Sequence, residues 1–300
     1  MKTLNQYLKE KYGCKVYKLS ISAKVTCPNR DGTLGSRGCI FCSEGGSGDF
    51  AANANLPIRQ QIAEAKEKVS KKIKGKALYI AYFQSFTNTY ASIEYLRDIY
   101  MQAIEPDDIV ALSIGTRPDC LGPDVIRLLS EINKIKPVWV ELGLQTIHED
   151  SAAYIRRGYT LDVYDKAVRD LRKEGIDVIT HVILGLPGET DKDMEQTVKY
   201  VVDSGVQGIK LQLLHVLKNT DLEKDYIEGR FEVMTMDEYI ELLKKLVKLI
   251  PDDVIIHRLT GDGPKKSLVA PLWSGDKKVV LNRINNEVIT RNNHENQDRR

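Results

Sequence analysis

No stretch of this chain approaches the roughly 18 consecutive apolar residues that a membrane-spanning helix needs. The opening residues, MKTLNQYLKEKYG, are too polar for a secretory signal. Both lacks point to a cytoplasmic protein. Net charge is also scarce, since 44 Lys and Arg stand against 42 Asp and Glu, leaving +2. Such a balance does not announce a nucleic-acid binder, although a local patch can still hold RNA. Residues 66–76 and the tail 291–300 are the two basic candidates; both read more simply as a solvated helix face and a frayed end. Cysteine is sparse, with five in 300 residues. With no signal peptide, that count does not suggest a disulfide framework.

Three of the five cysteines nevertheless sit together. Cys27, Cys39 and Cys42 form the pattern Cys-x11-Cys-x2-Cys. Thiolates are soft ligands for zinc or iron–sulfur clusters. Three of them can hold three irons of a four-iron cluster and leave the fourth open to a small molecule. A structural zinc site normally closes with four ligands. His148, His181 and His215 lie far down the chain, so a Cys3His site has no local support. Pro28, Gly32, Gly35 and Gly38 let the loop 27–42 fold closely around a bulky group. Arg30 and Arg37 set positive charge beside the thiolates. Cys14 and Cys120 lack metal-ligand spacing to the trio and read as buried small hydrophobes.

Strand-like and helix-like patterns alternate along the rest. Strands are expected at 16–23, 77–84, 109–116, 138–146, 178–186 and 209–215, with a further one at 254–259. Leu161, Tyr164, Val168 and Leu171 mark one helix face that stops at Gly175. Thr190 with Asp193, and Thr235 with Glu238, read as capping boxes. Alternation of this kind implies parallel strands joined by crossover helices. The expected fold is α/β, a partial (β/α)6 TIM-like barrel over residues 1–215 with the cluster loop at 27–42. A small C-terminal extension, 216–300, packs on or covers the barrel and ends in a disordered tail of about ten residues. Neighbours on a strand face opposite ways. Glu141, Gly143 and Gln145 share one side, as do Ser113, Gly115 and Arg117, His181 and Gly185, and Lys210 and Gln212; the other sides are aliphatic. A lumen lined this way suggests a polar ligand or an internal hydrogen-bond network.

The segment VTCPNRDGTLGSRGCIFCSEGGSGDF, with GTRPDCL, ELGLQT and HVILGLPGET further on, resembles the radical S-adenosylmethionine (SAM) superfamily. It is most similar to a bacterial group related in its core to the elongator-type catalytic subunit and to coproporphyrinogen dehydrogenase-like proteins. The resemblance covers nearly the whole chain and favours the six-unit barrel. It implies a [4Fe-4S] cluster on Cys27, Cys39 and Cys42, with SAM on the open iron. Phe41 takes the place of an aromatic that stacks near the adenine. Phe83-Gln84-Ser85 stands where a Gly-Gly-Glu-like motif contacts the SAM amino group, a departure that leaves the side-chain roles of Gln84 and Ser85 open. Asn88 or Thr89 caps the helix that follows. Ser113, Thr116 and Arg117 suit the ribose or the SAM carboxylate. Glu141 and Gln145 suit the ribose and sulfonium. The run from His181 through Gly185 to Glu189 matches an adenine-supporting motif, with His181 replacing its first glycine. Lys210 and Gln212 then contact SAM or substrate.

For substrate, Arg156 and Arg157 are candidates to hold a carboxylate, and Lys265, Lys266 and Trp273 to meet phosphate and base. Each also has a plain reading: surface arginines, solvated lysines, a core Trp. The resemblance implies work on tRNA, converting the carboxymethylaminomethyl side chain of a wobble uridine toward the aminomethyl form. It also implies an electron donor such as flavodoxin or ferredoxin. The alternatives are an oxidoreductase acting on a small molecule and a SAM- or cluster-binding regulator without turnover. No second cluster motif is evident.

Overall fold

The computed structural model describes residues 1–290 except 47, 49 and 262; the tail 291–300 lies outside the described residues. Ten strands occur in it. They are β1 (Lys2–Thr3), β2 (Lys15–Ile21), β3 (Ala77–Phe83), β4 (Ile109–Thr116), β5 (Val138–Gln145), β6 (Asp177–Leu184), β7 (Gly208–Leu213), β8 (Val216–Leu217), β9 (Ile255–Arg258) and β10 (Leu268–Ala270). Eight of these form one sheet in the order β1-β9-β7-β6-β5-β4-β3-β2, and every pairing is parallel. β1 and β2 are the two edges, so the curled sheet stays open as a partial barrel. The six strands expected up to residue 215 are all present. Within the expected extension, β9 joins the same sheet beside β7, while β8 and β10 pair as a small antiparallel ribbon.

The helices form where period and caps demand. Helix α6 (Leu161–Lys173) follows five others, α1 (Leu4–Tyr12), α2 (Ile58–Ser70), α3 (Ile93–Ile104), α4 (Pro123–Asn133) and α5 (Glu149–Tyr154). It buries Tyr164, Ala167, Val168 and Leu171, and Gly175 at φ +68° turns the chain back after it. Both capping boxes are made: Thr190 opens α7 (Asp191–Asp203), and Thr235 opens α9 (Met236–Leu246) beyond α8 (Asp221–Ile227). Helix α3 is capped instead by Ser92, not by Asn88 or Thr89. Those two residues are pulled into the sheet end. Asn88 donates to the carbonyls of Phe83 and Gly115, and Thr89 bonds the Thr116 hydroxyl at 2.6 Å.

Helices cover the outer face of the sheet and bury its aliphatic side. The inner face is built in three tiers, two residues apart. At the bottom, Val16, Ile80, Ala111, Trp139 and Ile179 pack under Leu8 of α1, which plugs the barrel. Two residues further along each strand come Lys18, Tyr82, Ser113, Glu141 and His181, joined by Lys210 from β7. Two more residues bring Ser20, Gln84, Gly115, Gly143, Ile183 and Gln212, which line a cavity of about 340 Å³ at the C-terminal strand ends.

Candidate active site

Cys27, Cys39 and Cys42 line that same cavity. Their loop is tied down from several sides. Asn29 donates to Cys39 Sγ at 3.4 Å and to the Arg156 carbonyl at 2.7 Å. Arg30 bonds the carbonyls of Cys42 and Ser43. The Ile40 amide bonds the Ile155 carbonyl, and the Ile40 carbonyl accepts from the Leu222 amide of α8. Ile40 packs with Ile155, Ile183 and Leu214, which fixes the loop against the strand ends. Burial, followed by the neighbouring Cys42, pushes the Cys39 thiol up to about 12. A thiol held there becomes a thiolate only with compensating positive charge, which an iron–sulfur core provides. Among the described residues, no three His, Cys, Asp or Glu side chains are grouped to hold a single metal ion. A cluster presents a separate iron to each thiolate, so it does not require the three sulfurs to converge on one point.

Below the cysteines, Glu141 is fully buried and saturated with partners. Its Oε1 accepts from Lys18 Nζ at 2.5 Å and Ser113 Oγ at 2.6 Å; its Oε2 accepts from His181 Nε2 at 2.8 Å and from Lys210 Nζ. Although burial opposes ionisation, the Lys18 and Lys210 ammoniums hold the Glu141 carboxyl well below its usual range. His181 is pushed down to about 4 by burial and by Lys210, so its imidazole is neutral. Its Nδ1 faces Gln212 Nε2 at 3.3 Å, and Nε2 carries the proton toward Glu141. Lys210 is lowered to about 7, first by burial, despite Glu141. One carboxylate shared by two ammoniums cannot fully compensate either. Both ammoniums also lie over the Tyr82 ring, at 4.6 and 4.7 Å.

Of the residues expected at SAM, Phe41, Gln84, Thr116, Arg117, Glu141, Gln145, His181, Lys210 and Gln212 line the cavity with the cysteines. Gln145 holds a left-handed φ of +72°, and its buried Oε1 has no hydrogen-bond partner among the described residues, so a donor on a ligand would complete it. Ser113 sits beneath Glu141 as its support, and Ser85 lies buried under the loop at Gly48. The Gly185 amide faces Met194 Sδ, and its α-carbon faces Met234, so it acts behind the site.

The arginines each have partners within the chain, and Arg117 and Arg157 also line the cavity. Arg117 forks onto Asp119 at 2.9 and 2.7 Å and stacks on Tyr159. Arg156 pairs with Asp221 and bonds the Gly38 carbonyl, a tether between α8 and the cysteine loop. Arg157 is 2% exposed and bonds the Thr146 and Tyr159 carbonyls and Glu149. All three guanidiniums are thus taken up within the chain. Trp273 donates to the Met234 carbonyl and packs on Tyr239, a structural role. Lys265 and Lys266 are exposed outside the cavity, though neighbouring Pro264 lines it. Cys14 and Cys120 are only partly buried. Lys66 pairs with Asp108 at 2.7 Å. Sequence reasoning missed Lys18, Tyr82 and Arg258; for Lys18 the signal was its alternation with Val16 and Ser20.

Comparison with known proteins places these features in context. The family model "Radical SAM superfamily" matches residues 32–201, and "Radical_SAM C-terminal domain" matches 206–290. The uncharacterized protein YtqA of Bacillus subtilis is 46% identical over 294 residues, 98% of this chain and 91% of its own length. A Methanocaldococcus jannaschii tRNA uridine(34) acetyltransferase is 30% identical over 178 residues, 58% of this chain and 32% of its own. In structure, the archaeal Methanocaldococcus infernus Elp3 superposes with a TM-score of 0.68 at 20% identity. That match covers 90% of this chain and 62% of the Elp3 chain, and it shows a shared fold.

Proposed function

The chain belongs to the radical SAM superfamily, and from that premise we propose that it modifies tRNA, converting the carboxymethylaminomethyl side chain of the wobble uridine toward aminomethyl. Family membership makes it an enzyme that uses a [4Fe-4S] cluster and SAM. When bound, these cofactors would supply one-electron reductive cleavage of the sulfonium and, through it, hydrogen abstraction at an unreactive C–H bond. The residues here do the rest. Cys27, Cys39 and Cys42 hold the cluster, and Asn29 and Arg30 fix their loop. Phe41, Gln84, Thr116 and Gln145 surround the space beside it, where SAM binds. Ile183 and Leu214 wall that space with apolar surface and exclude water from the reacting centre.

The observation that carries the substrate reading is the cationic tier beneath this space, where Lys18 and Lys210 converge on one carboxylate. A side chain ending in a carboxylate suits such a lumen, and the 30% likeness to a tRNA uridine(34) acetyltransferase supports tRNA as its carrier. Flavodoxin or ferredoxin suits the reductant's role. The test is anaerobic incubation of cluster-loaded protein with SAM, reductant and tRNA bearing the modification, followed by nucleoside mass analysis. Loss of the carboxymethylaminomethyl form with gain of the aminomethyl form is expected. An unchanged nucleoside, from protein that does cleave SAM, overturns the reading; a small-molecule substrate then takes its place. Absence of SAM cleavage by a reduced, intact cluster would leave a binding regulator.

A further inference from the structure

Asn29 follows the first cysteine of the trio by two residues and is 5% exposed. Its Nδ2 lies 2.7 Å from the Arg156 carbonyl and 3.4 Å from Cys39 Sγ. A backbone carbonyl can only accept, so the side-chain amide turns its NH2 end to this corner. The two hydrogens of that nitrogen are thereby divided, one to the carbonyl and one to the sulfur. The rest of the residue is held as firmly. Its own carbonyl accepts from the Gly38 amide at 2.7 Å, next to Cys39 in the chain. Gly158, at φ +80°, leaves room for the other end of the side chain, since a β-carbon there would sit 2.9 Å from Asn29 Oδ1. The fold thus aims an N–H at a cysteine sulfur before any ligand arrives.

Cys39 Sγ also faces the Arg156 carbonyl at 3.7 Å, a contact that a thiol makes as donor. As a metal ligand the sulfur carries no proton and cannot make it. The Asn29 N–H then faces an anionic sulfur, and its hydrogen bond becomes charge-assisted. A hydrogen bond to a ligating sulfur stabilises the electron-richer state of an iron–sulfur cluster more than the electron-poorer one, and so raises its potential. We propose that Asn29, beyond fixing the loop, sets the reduction potential of the cluster on Cys27, Cys39 and Cys42 through an N–H···S hydrogen bond to Cys39. One electron passes from the donor protein to the cluster, and no covalent bond forms or breaks at Asn29. The consequence falls on the donor: without this hydrogen bond a stronger reductant is required. The inference rests on the cluster that family membership gives and not on the tRNA reading, so an unchanged nucleoside leaves it standing.

The test is an anaerobic redox titration of cluster-loaded protein, read by the electron paramagnetic resonance of the reduced cluster. Asn29→Leu removes the donor at similar volume. Asn29→Asp keeps the shape and sets an acceptor where the donor stood. In each, the reduced-to-oxidised ratio at a fixed potential is expected to fall about 10-fold, a drop in midpoint of about 59 mV for one electron. Circular dichroism establishes the fold, and the signal comes from loaded protein alone, so partial loading does not move the midpoint. A loop that is merely loosened would lose iron and keep its midpoint. Unchanged midpoints in both variants therefore overturn the proposal, whatever their iron content. If neither variant takes up a cluster, the unmodified protein decides, grown with asparagine carrying nitrogen-15 in its side chain. Among the described residues, Asn29 alone of the asparagines bonds one of the three cysteines. A nitrogen-15 coupling to the reduced cluster in pulsed electron paramagnetic resonance upholds the proposal; its absence overturns it.

Discussion

Replacing Glu141 with Gln tests the electrostatics of the lumen directly. The substitution keeps the shape and removes the charge that Lys18 and Lys210 share. Glu141 is 1% exposed, and all four of its contacts come from donors. Removing one partner of a buried ion pair costs about 3–5 kcal/mol, mostly because a charge is left alone. The loss should depend on pH, with a sign that follows from Lys210. An unfolded lysine titrates at about 10.4, whereas Lys210 in place titrates at about 7. Between those values the unfolded chain binds a proton the folded one does not, so this group makes stability rise with pH. Glu141 keeps Lys210 protonated up to about 7; without it, protonation is lost at lower pH. Urea unfolding should therefore show the full loss at pH 6, and about 1 kcal/mol less at pH 8, where Lys210 is neutral in both proteins. Adding Lys210→Met to Glu141→Gln should recover a large part of the stability at pH 6, since it removes the cost of burying a lysine without its carboxylate, whether charged or deprotonated. A loss below about 1 kcal/mol at pH 6, or no recovery in the double variant, would refute the account of the lumen as a charge cluster around one carboxylate.

Cys39→Ala should leave the fold intact by circular dichroism and abolish the SAM-sensitive electron paramagnetic resonance signal after reconstitution, with iron and sulfide falling together. Gly46→Ala should lower cluster loading, because φ there is +61° and a methyl group would run into the Phe86 ring; iron analysis at matched protein concentration reads it. Arg157→Ala should cost about 2–3 kcal/mol in denaturant unfolding, since it strands the buried carbonyl of Thr146 and the half-buried one of Tyr159. Arg156→Ala should cost less stability but slow cluster reconstitution, since it cuts the tether from Asp221 to the cysteine loop.

How much of this was legible in the sequence follows from the range of the forces involved. The strand positions, the two capping boxes and the stop at Gly175 rest on contacts within a few residues, and each appears where the pattern placed it. The period of two along a strand is equally local, and it showed that Glu141, His181, Lys210 and Gln212 share the inner face. Arginine partners are not local in that sense. Arg117 finds Asp119 two residues away, but Arg156 finds Asp221 across 65 residues, and no pattern in the chain announces that pairing. Arg117 was expected at the ribose or SAM carboxylate and Arg156 at a substrate carboxylate; the acceptors that the fold supplies to both guanidiniums lie outside what a local pattern shows.

Lys18 carried no expectation, for a different reason. In KVYKLSI it looks like a solvent-facing charge on an edge strand, and β2 is indeed an edge. Yet Val16, two residues earlier, belongs to the bottom plug, and Ser20, two residues later, lines the cavity. A residue between those two must point into the barrel, whatever its charge. Lys18 is met there by Glu141 from β5, which Lys210 from β7 also reaches, so the inward charge is answered across three strands rather than by neighbours in sequence. The same curvature that brings three distant strands around Glu141 sets this charge cluster beneath the cysteines, a juxtaposition that no pattern within one strand announces.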